Sequence, residues 1–164
     1  MNDSLNLVSI DLKPDWSELD KISELVKNFF GKSSFTQDDY DAIKMVTTEL
    51  VENGIKYGYF PFSESTIRIS FKKKKNRVLV EVQNLIEDSE VEHLRRLDSN
   101  IQWIRGYQNP FEAYVEKLKE ISTKTLVEGE SGLGLVRIAY EGQSILDFYV
   151  NENNLLAISA VYEY

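Results

Sequence analysis

Cysteine is absent from the 164 residues, which removes disulfide scaffolds, thiolate metal sites and cysteine nucleophiles together. Histidine occurs once, at His93, so a zinc site or a hydrolase built on a histidine base would rest on that single residue. Long apolar runs are missing too: no stretch approaches the roughly 20 residues that span a bilayer. The first ten residues carry no basic region followed by an apolar run, so no secretory signal is expected and the expected location is the cytoplasm. Basic charge is in deficit. Nineteen Lys and Arg against 27 Asp and Glu leave a formal charge of −8, which repels a phosphate backbone and argues against a nucleic-acid binder.

What is present is an ordinary folding composition, 42% hydrophobic and 28% charged, and a length that suits one domain over 1–164. Alternating apolar residues predict a strand over Leu5–Leu12, stopped by Pro14. Leu19, Ile22, Val26 and Phe29 then fall at three- and four-residue spacing, predicting a helix over 16–30 with Gly31 as its stop. Thr36-Gln-Asp-Asp39 reads as a capping box opening a second helix to about Tyr57. Ser65–Phe71 and Arg77–Val82 read as an antiparallel hairpin, with Lys72–Asn76 as its solvated turn. Residues 90–124 are helical in pattern, with Pro110 starting a new helix, and form an insert. A glycine-rich stretch, Gly129–Gly134, leads into a short helix over 133–140, and Ser144–Val150 with Leu155–Tyr162 closes the chain as a second hairpin. This order predicts an α+β fold: a two-layer sandwich whose mixed sheet of about five strands carries helices on one face.

Two segments carry more than packing. In Thr47–Gly58, Glu49, Asn53 and Lys56 lie within roughly 60° of one another on a helix, beside an apolar stripe of Ile43, Val46, Leu50 and Tyr57. A carboxylate, an amide and an ammonium at the rim of a cleft suit proton transfer, magnesium ligation and phosphate binding respectively. The same row also reads as the solvated face of an amphipathic helix. In Glu128–Val136, Gly132 and Gly134 permit close backbone approach, and Ser131 is placed to cap the following helix. Gly-x-Gly alone is also a common loop-to-helix turn. His93 reads as a surface residue, and Glu87, Asp88 and Glu90 as acids complementing a helix start.

Taken together and in order, Glu49–Gly58 resembles the asparagine box of the ATPase superfamily that includes gyrase B, histidine kinases and MutL, and Ser131–Leu135 resembles its second glycine box. The resemblance covers about residues 36–162 and implies that family's Bergerat fold. Size and the lack of a phosphoacceptor histidine domain make the chain most similar to the stand-alone anti-sigma-factor kinases. The Asn after the hairpin, the helical insert and the Gly-Leu-Gly-Leu box also resemble the SiaB-type bacterial signalling kinases. The resemblance implies ATP and magnesium as cofactors, Glu49 as catalytic carboxylate and Asn53 as metal ligand. It further places Lys56 near phosphate and Gly132, Leu133 and Gly134 in the phosphate-side loop. The family's Asp-x-Gly-x-Gly is degenerate here: Val82–Ser89 contains no glycine, and Asn84 stands where the adenine-binding aspartate would fall. Its amide oxygen accepts a hydrogen bond without charge assistance.

The implied function is a serine/threonine protein kinase or ATPase acting on a small regulatory protein, such as a sigma factor or an anti-sigma antagonist, with no nucleic acid or membrane involved. Family members often act as dimers. An alternative is a non-catalytic module of the same fold that regulates by sequestering its partner, and a third is a purely structural α+β domain.

Overall fold

The computed structural model describes residues 6–31, 35–123 and 132–164. Strand β1 (Asn6–Leu12) is followed by a 3₁₀ segment (Trp16–Lys21) and helices α1 (Ile22–Phe30) and α2 (Gln37–Tyr57). A hairpin, β2 (Ile67–Lys74) and β3 (Arg77–Leu85), precedes α3 (Val91–Arg105), α4 (Pro110–Thr123) and α5 (Leu133–Tyr140). A second hairpin, β4 (Ser144–Val150) and β5 (Leu155–Glu163), closes the chain. The capping box is formed: Asp39 N–H donates to Thr36 Oγ1 at 3.2 Å, and Thr36 N–H donates to the Asp39 carboxylate at 2.8 Å.

The five strands form one sheet in the order β1-β2-β3-β5-β4, and every pairing is antiparallel. The expected mixed sheet is therefore corrected. Both hairpins were readable, but the directions in which β3 meets β5 and β1 meets β2 depend on crossover paths that a local pattern does not contain. Alternate strand residues Ile67, Ile69, Phe71, Val78, Val80, Val82, Ile158 and Ala160 are buried, and with Ile43, Val46, Leu50 and Val51 of α2 they form the core. Leu97, Ile101 and Ile104 of α3 join the same core, so the insert is packed into the molecule rather than appended to it.

Three boundaries differ from expectation, each for a local reason. The 16–30 segment opens as a 3₁₀ turn, because Asp15 caps Ser17 and the first α-helical residue is Ile22. Lys72, Lys73 and Lys74 belong to β2, and the turn is Lys75-Asn76 alone, with Lys75 at φ 50°. A two-residue turn of this kind matches the twist of the flanking strands. Strand β3 runs on to Leu85, so Asn84 lies within it, opposite Leu156, rather than after it. Among the described residues no helix is long and apolar enough to cross a membrane.

Candidate functional site

Helix α2 lays its polar row along a cleft floored by β5. Glu49, Asn53, Lys56 and Tyr57 from α2, Asn84 from β3, and Gly132, Gly134 and Leu135 at the start of α5 all line it, above Leu156 and Ile158. The opposite wall is α3, which presents His93, Arg96, Leu97 and Asn100 at the three- and four-residue spacing of one helix face. The cleft encloses about 780 Å³ of empty space, its open mouth included. Among the described residues its charged lining is one carboxylate, Glu49, and two cations, Lys56 and Arg96.

Two glycines make this geometry. A Cβ on Gly54 would lie 3.2 Å from Asn84 Oδ1 and 3.3 Å from Ile67, so its absence lets α2 close onto β2 and β3. Gly132, at φ +65°, turns the chain into α5 as its N-cap residue without a side-chain cap, beside the Asn100 amide. Asn84 is 4% exposed, and its amide donates to the Leu85 carbonyl at 3.0 Å.

Glu49 is mostly buried, with 13% of its side chain exposed. Burial pushes its carboxyl above the usual carboxylate range, and the facing Arg137 guanidinium offsets part of that rise. Arg137 Nη1 donates to Glu49 Oε1, while its Nε and Nη2 reach Glu141, the C-cap of the same helix, at 3.3 and 3.2 Å. Lys56 is exposed, its ammonium 6.0 Å from the centre of the Trp16 ring.

The sequence-predicted residues Glu49, Asn53, Lys56, Asn84, Gly132 and Gly134 thus share one cleft. Leu133 departs from the set: it packs against the hydrophobic core instead. Ser131 and the stretch Glu128–Glu130 lie outside the described residues. The reading of His93 as a plain surface residue is overturned. Its ring stacks on Tyr57 with centroids 4.1 Å apart and planes 19° from parallel, and burial lowers its pKa, which favours the neutral ring. Arg96, Asn100 and Arg137 were missed as well. The spacing of 93, 96 and 100 marks one face of α3, but the apolar positions of that helix dominate its pattern. Among the described residues no cluster of three or more Asp, Glu or His is placed to hold a metal ion by itself.

The sequence matches no protein-family model and no curated protein. The fold is similar to that of a chain in the crystal structure of the SiaB–SiaC complex from Pseudomonas aeruginosa, with a TM-score of 0.70 and 19% identity. The match covers 97% of this chain and 90% of that one, and at such low identity it establishes likeness of fold.

Proposed function

We propose that this chain is a signalling regulator of Bergerat type that binds magnesium–ATP in the α2–α3–α5 cleft and phosphorylates a serine or threonine of a small regulatory protein. The observation that carries the reading is the convergence of Glu49, Asn53 and Lys56 on one helix with the Gly132–Gly134 end of α5 across a single cleft. The likeness to a structure solved as a complex of two proteins supports a protein partner.

The lining fits an anionic ligand. Lys56 and Arg96 supply positive charge, and the start of α5 adds the positive end of a helix dipole. Asn53 would be the protein ligand of magnesium, which would supply neutralisation of the phosphate charge. Bound ATP would supply its γ-phosphoryl group, the bond to ADP breaking as the bond to the partner oxygen forms, and ADP would leave. Glu49 would take the proton from the partner hydroxyl: burial strengthens it as a base, and Arg137 favours its ionised form. Asn84 would offer its amide oxygen to the base.

Calorimetric titration tests the pocket. ATP affinity should depend on magnesium, and Asn53→Ala should remove that dependence; equal wild-type affinity with and without the metal would exclude the role given to Asn53. In labelled-ATP transfer to the partner, Glu49→Gln should keep nucleotide affinity and lower the rate by roughly 10²-fold or more. One observation favours the sequestration reading: the buried Asn84 is uncharged, whereas the resemblance to the ATPase superfamily implies a carboxylate there, so its grip on adenine would be weaker. Partner binding with no ATP binding would establish that reading instead.

A further inference from the structure

We infer that Arg137 is a positioning residue for Glu49, a single guanidinium that is braced by Glu141 and holds the Glu49 carboxylate against the start of α5. The inference deepens the reading of the cleft as a phosphotransfer site, since it concerns the carboxylate to which that reading gives the proton.

Gly134 and Arg137 are three residues apart and so share a face of α5. That face meets Glu49 on both sides. Oε1 accepts from Arg137 Nη1, and Oε2 lies so close to Gly134 that a Cβ there would be 2.5 Å from it. Both oxygens are therefore located by α5, a helix that contributes no base of its own to the cleft. Arg137 is located in turn. Glu141, four residues further on at the C-cap of α5, accepts from Nε and Nη2, so the planar fork of the guanidinium spans two carboxylates, one on α2 and one at the end of α5. The two pairs are unequal. Glu49 is 13% exposed and Glu141 37%, so the Glu49 pair is the less screened and the Glu141 pair acts as the brace. A lysine at 137 would supply the charge but not the fork.

Among the described residues the groups facing Glu49 are Glu52 and Lys56 on its own helix, Arg137 on α5 and Glu141 at its C-cap, and His93 and Arg96 across the cleft on α3. Of these, Arg137 alone is hydrogen-bonded to the carboxylate in the structure described.

The test is carried out first on the nucleotide-free full chain, by following the Glu49 carboxyl carbon with NMR across a pH titration. Arg137→Ala should raise the midpoint, because burial then acts without its main opposing charge. Glu141→Gln should lower it, since a nearby like charge goes while the glutamine amide oxygen can still accept from the fork. Arg137→Lys should fall between wild type and alanine. A midpoint unmoved by Arg137→Ala, or moved downward, overturns the inference. The second readout is transfer kinetics, where Arg137→Ala should lower kcat by about tenfold or more with KM for ATP unchanged and shift the acid limb of the pH profile upward. Arg137→Lys should recover part of that loss. Equal losses in affinity and rate would make Arg137 a ligand contact and overturn the positioning role. If the wild type transfers no phosphate, the proposed function fails, while the titration still decides the inference.

Discussion

Replacing Gly134 by alanine should separate stability from function. In an ordinary helix the change is favourable, by about 0.5–1 kcal/mol, because alanine loses less backbone entropy. Here the new Cβ would stand 2.5 Å from Glu49 Oε2, and ordinary contact begins near 3.4 Å, so the oxygen must retreat by about 0.9 Å, the difference of the two distances. The obstacle is the end of a flexible side chain, which can move, but it is held by Arg137. Turning it off its rotamer costs about 0.5–1.5 kcal/mol, and a strained hydrogen bond to a charged group adds up to about 1 kcal/mol. These costs exceed the helix gain by at most about 2 kcal/mol. The melting temperature should therefore fall by less than about 8 °C for a chain of this size. Transfer is another matter: misplacing a reacting group by about 1 Å costs up to 10²-fold, so the rate should fall at least about tenfold. Gly132→Ala is the comparator. At φ +65° it should cost about 1–2 kcal/mol of strain while leaving Glu49 where it is. Thermal melts and labelled-ATP transfer on the two variants decide the matter. A Gly134→Ala protein with wild-type transfer would refute the close approach of Glu49 to α5, and a loss of about 10 °C or more in melting temperature would refute the claim that the obstacle is a side chain able to move.

Gly142→Ala should be purely structural: its Cβ would meet Val46 at 2.5 Å and the Ile138 carbonyl at 2.6 Å, so a loss of about 2–3 kcal/mol is expected in urea unfolding. Tyr162→Phe removes the phenol that donates to Asp39 at 2.5 Å and should cost about 1–2 kcal/mol in the same assay. Burial would raise the Asp39 pKa, but hydrogen bonds from Tyr162 and Thr36 outweigh it and leave the group depressed. Its stabilising effect is therefore present above the ordinary carboxylate pKa and lost as pH falls through the lower folded value, and Tyr162→Phe should flatten that acid limb. Glu49 has the opposite sign. Its folded pKa is raised, so the folded state holds more protons between the ordinary value and the raised one, and stability falls as pH rises through that interval. Melts of Glu49→Gln from acid to neutral pH should lack this decline, and a melting temperature well below wild type at neutral pH would contradict it.

Much of the fold was legible because its signals are local. The Thr36–Asp39 box, the two hairpins and the start of α4 at Pro110 each depend on residues within a few positions of one another. The stripe of Glu49, Asn53 and Lys56 was legible for the same reason, since helical periodicity alone puts them on one side of α2. Strand direction across β3 and β5 was not, because it depends on how two hairpins far apart in sequence come together.

The part of the site that escaped the sequence shares one property: each residue acts through a partner on another element. Gly134 reads as a residue that lets phosphate approach a loop, yet its lack of a Cβ also makes room for a carboxylate 85 positions earlier in the chain. Arg137 reads as one more polar position on a short helix until α5 is packed beside α2, where it becomes the counter-charge of a buried glutamate. His93 reads as surface until α3 leans over α2 and its ring finds Tyr57. In each case a single-element pattern can mark a residue as polar or small but cannot say against what. The packing of α3 into the core through Leu97, Ile101 and Ile104 supplies that missing information, because it turns a helix that reads as an insert into one wall of the cleft. A substitution that loosens this wall, far from Glu49 in sequence, is therefore expected to act on the same chemistry as one made beside it.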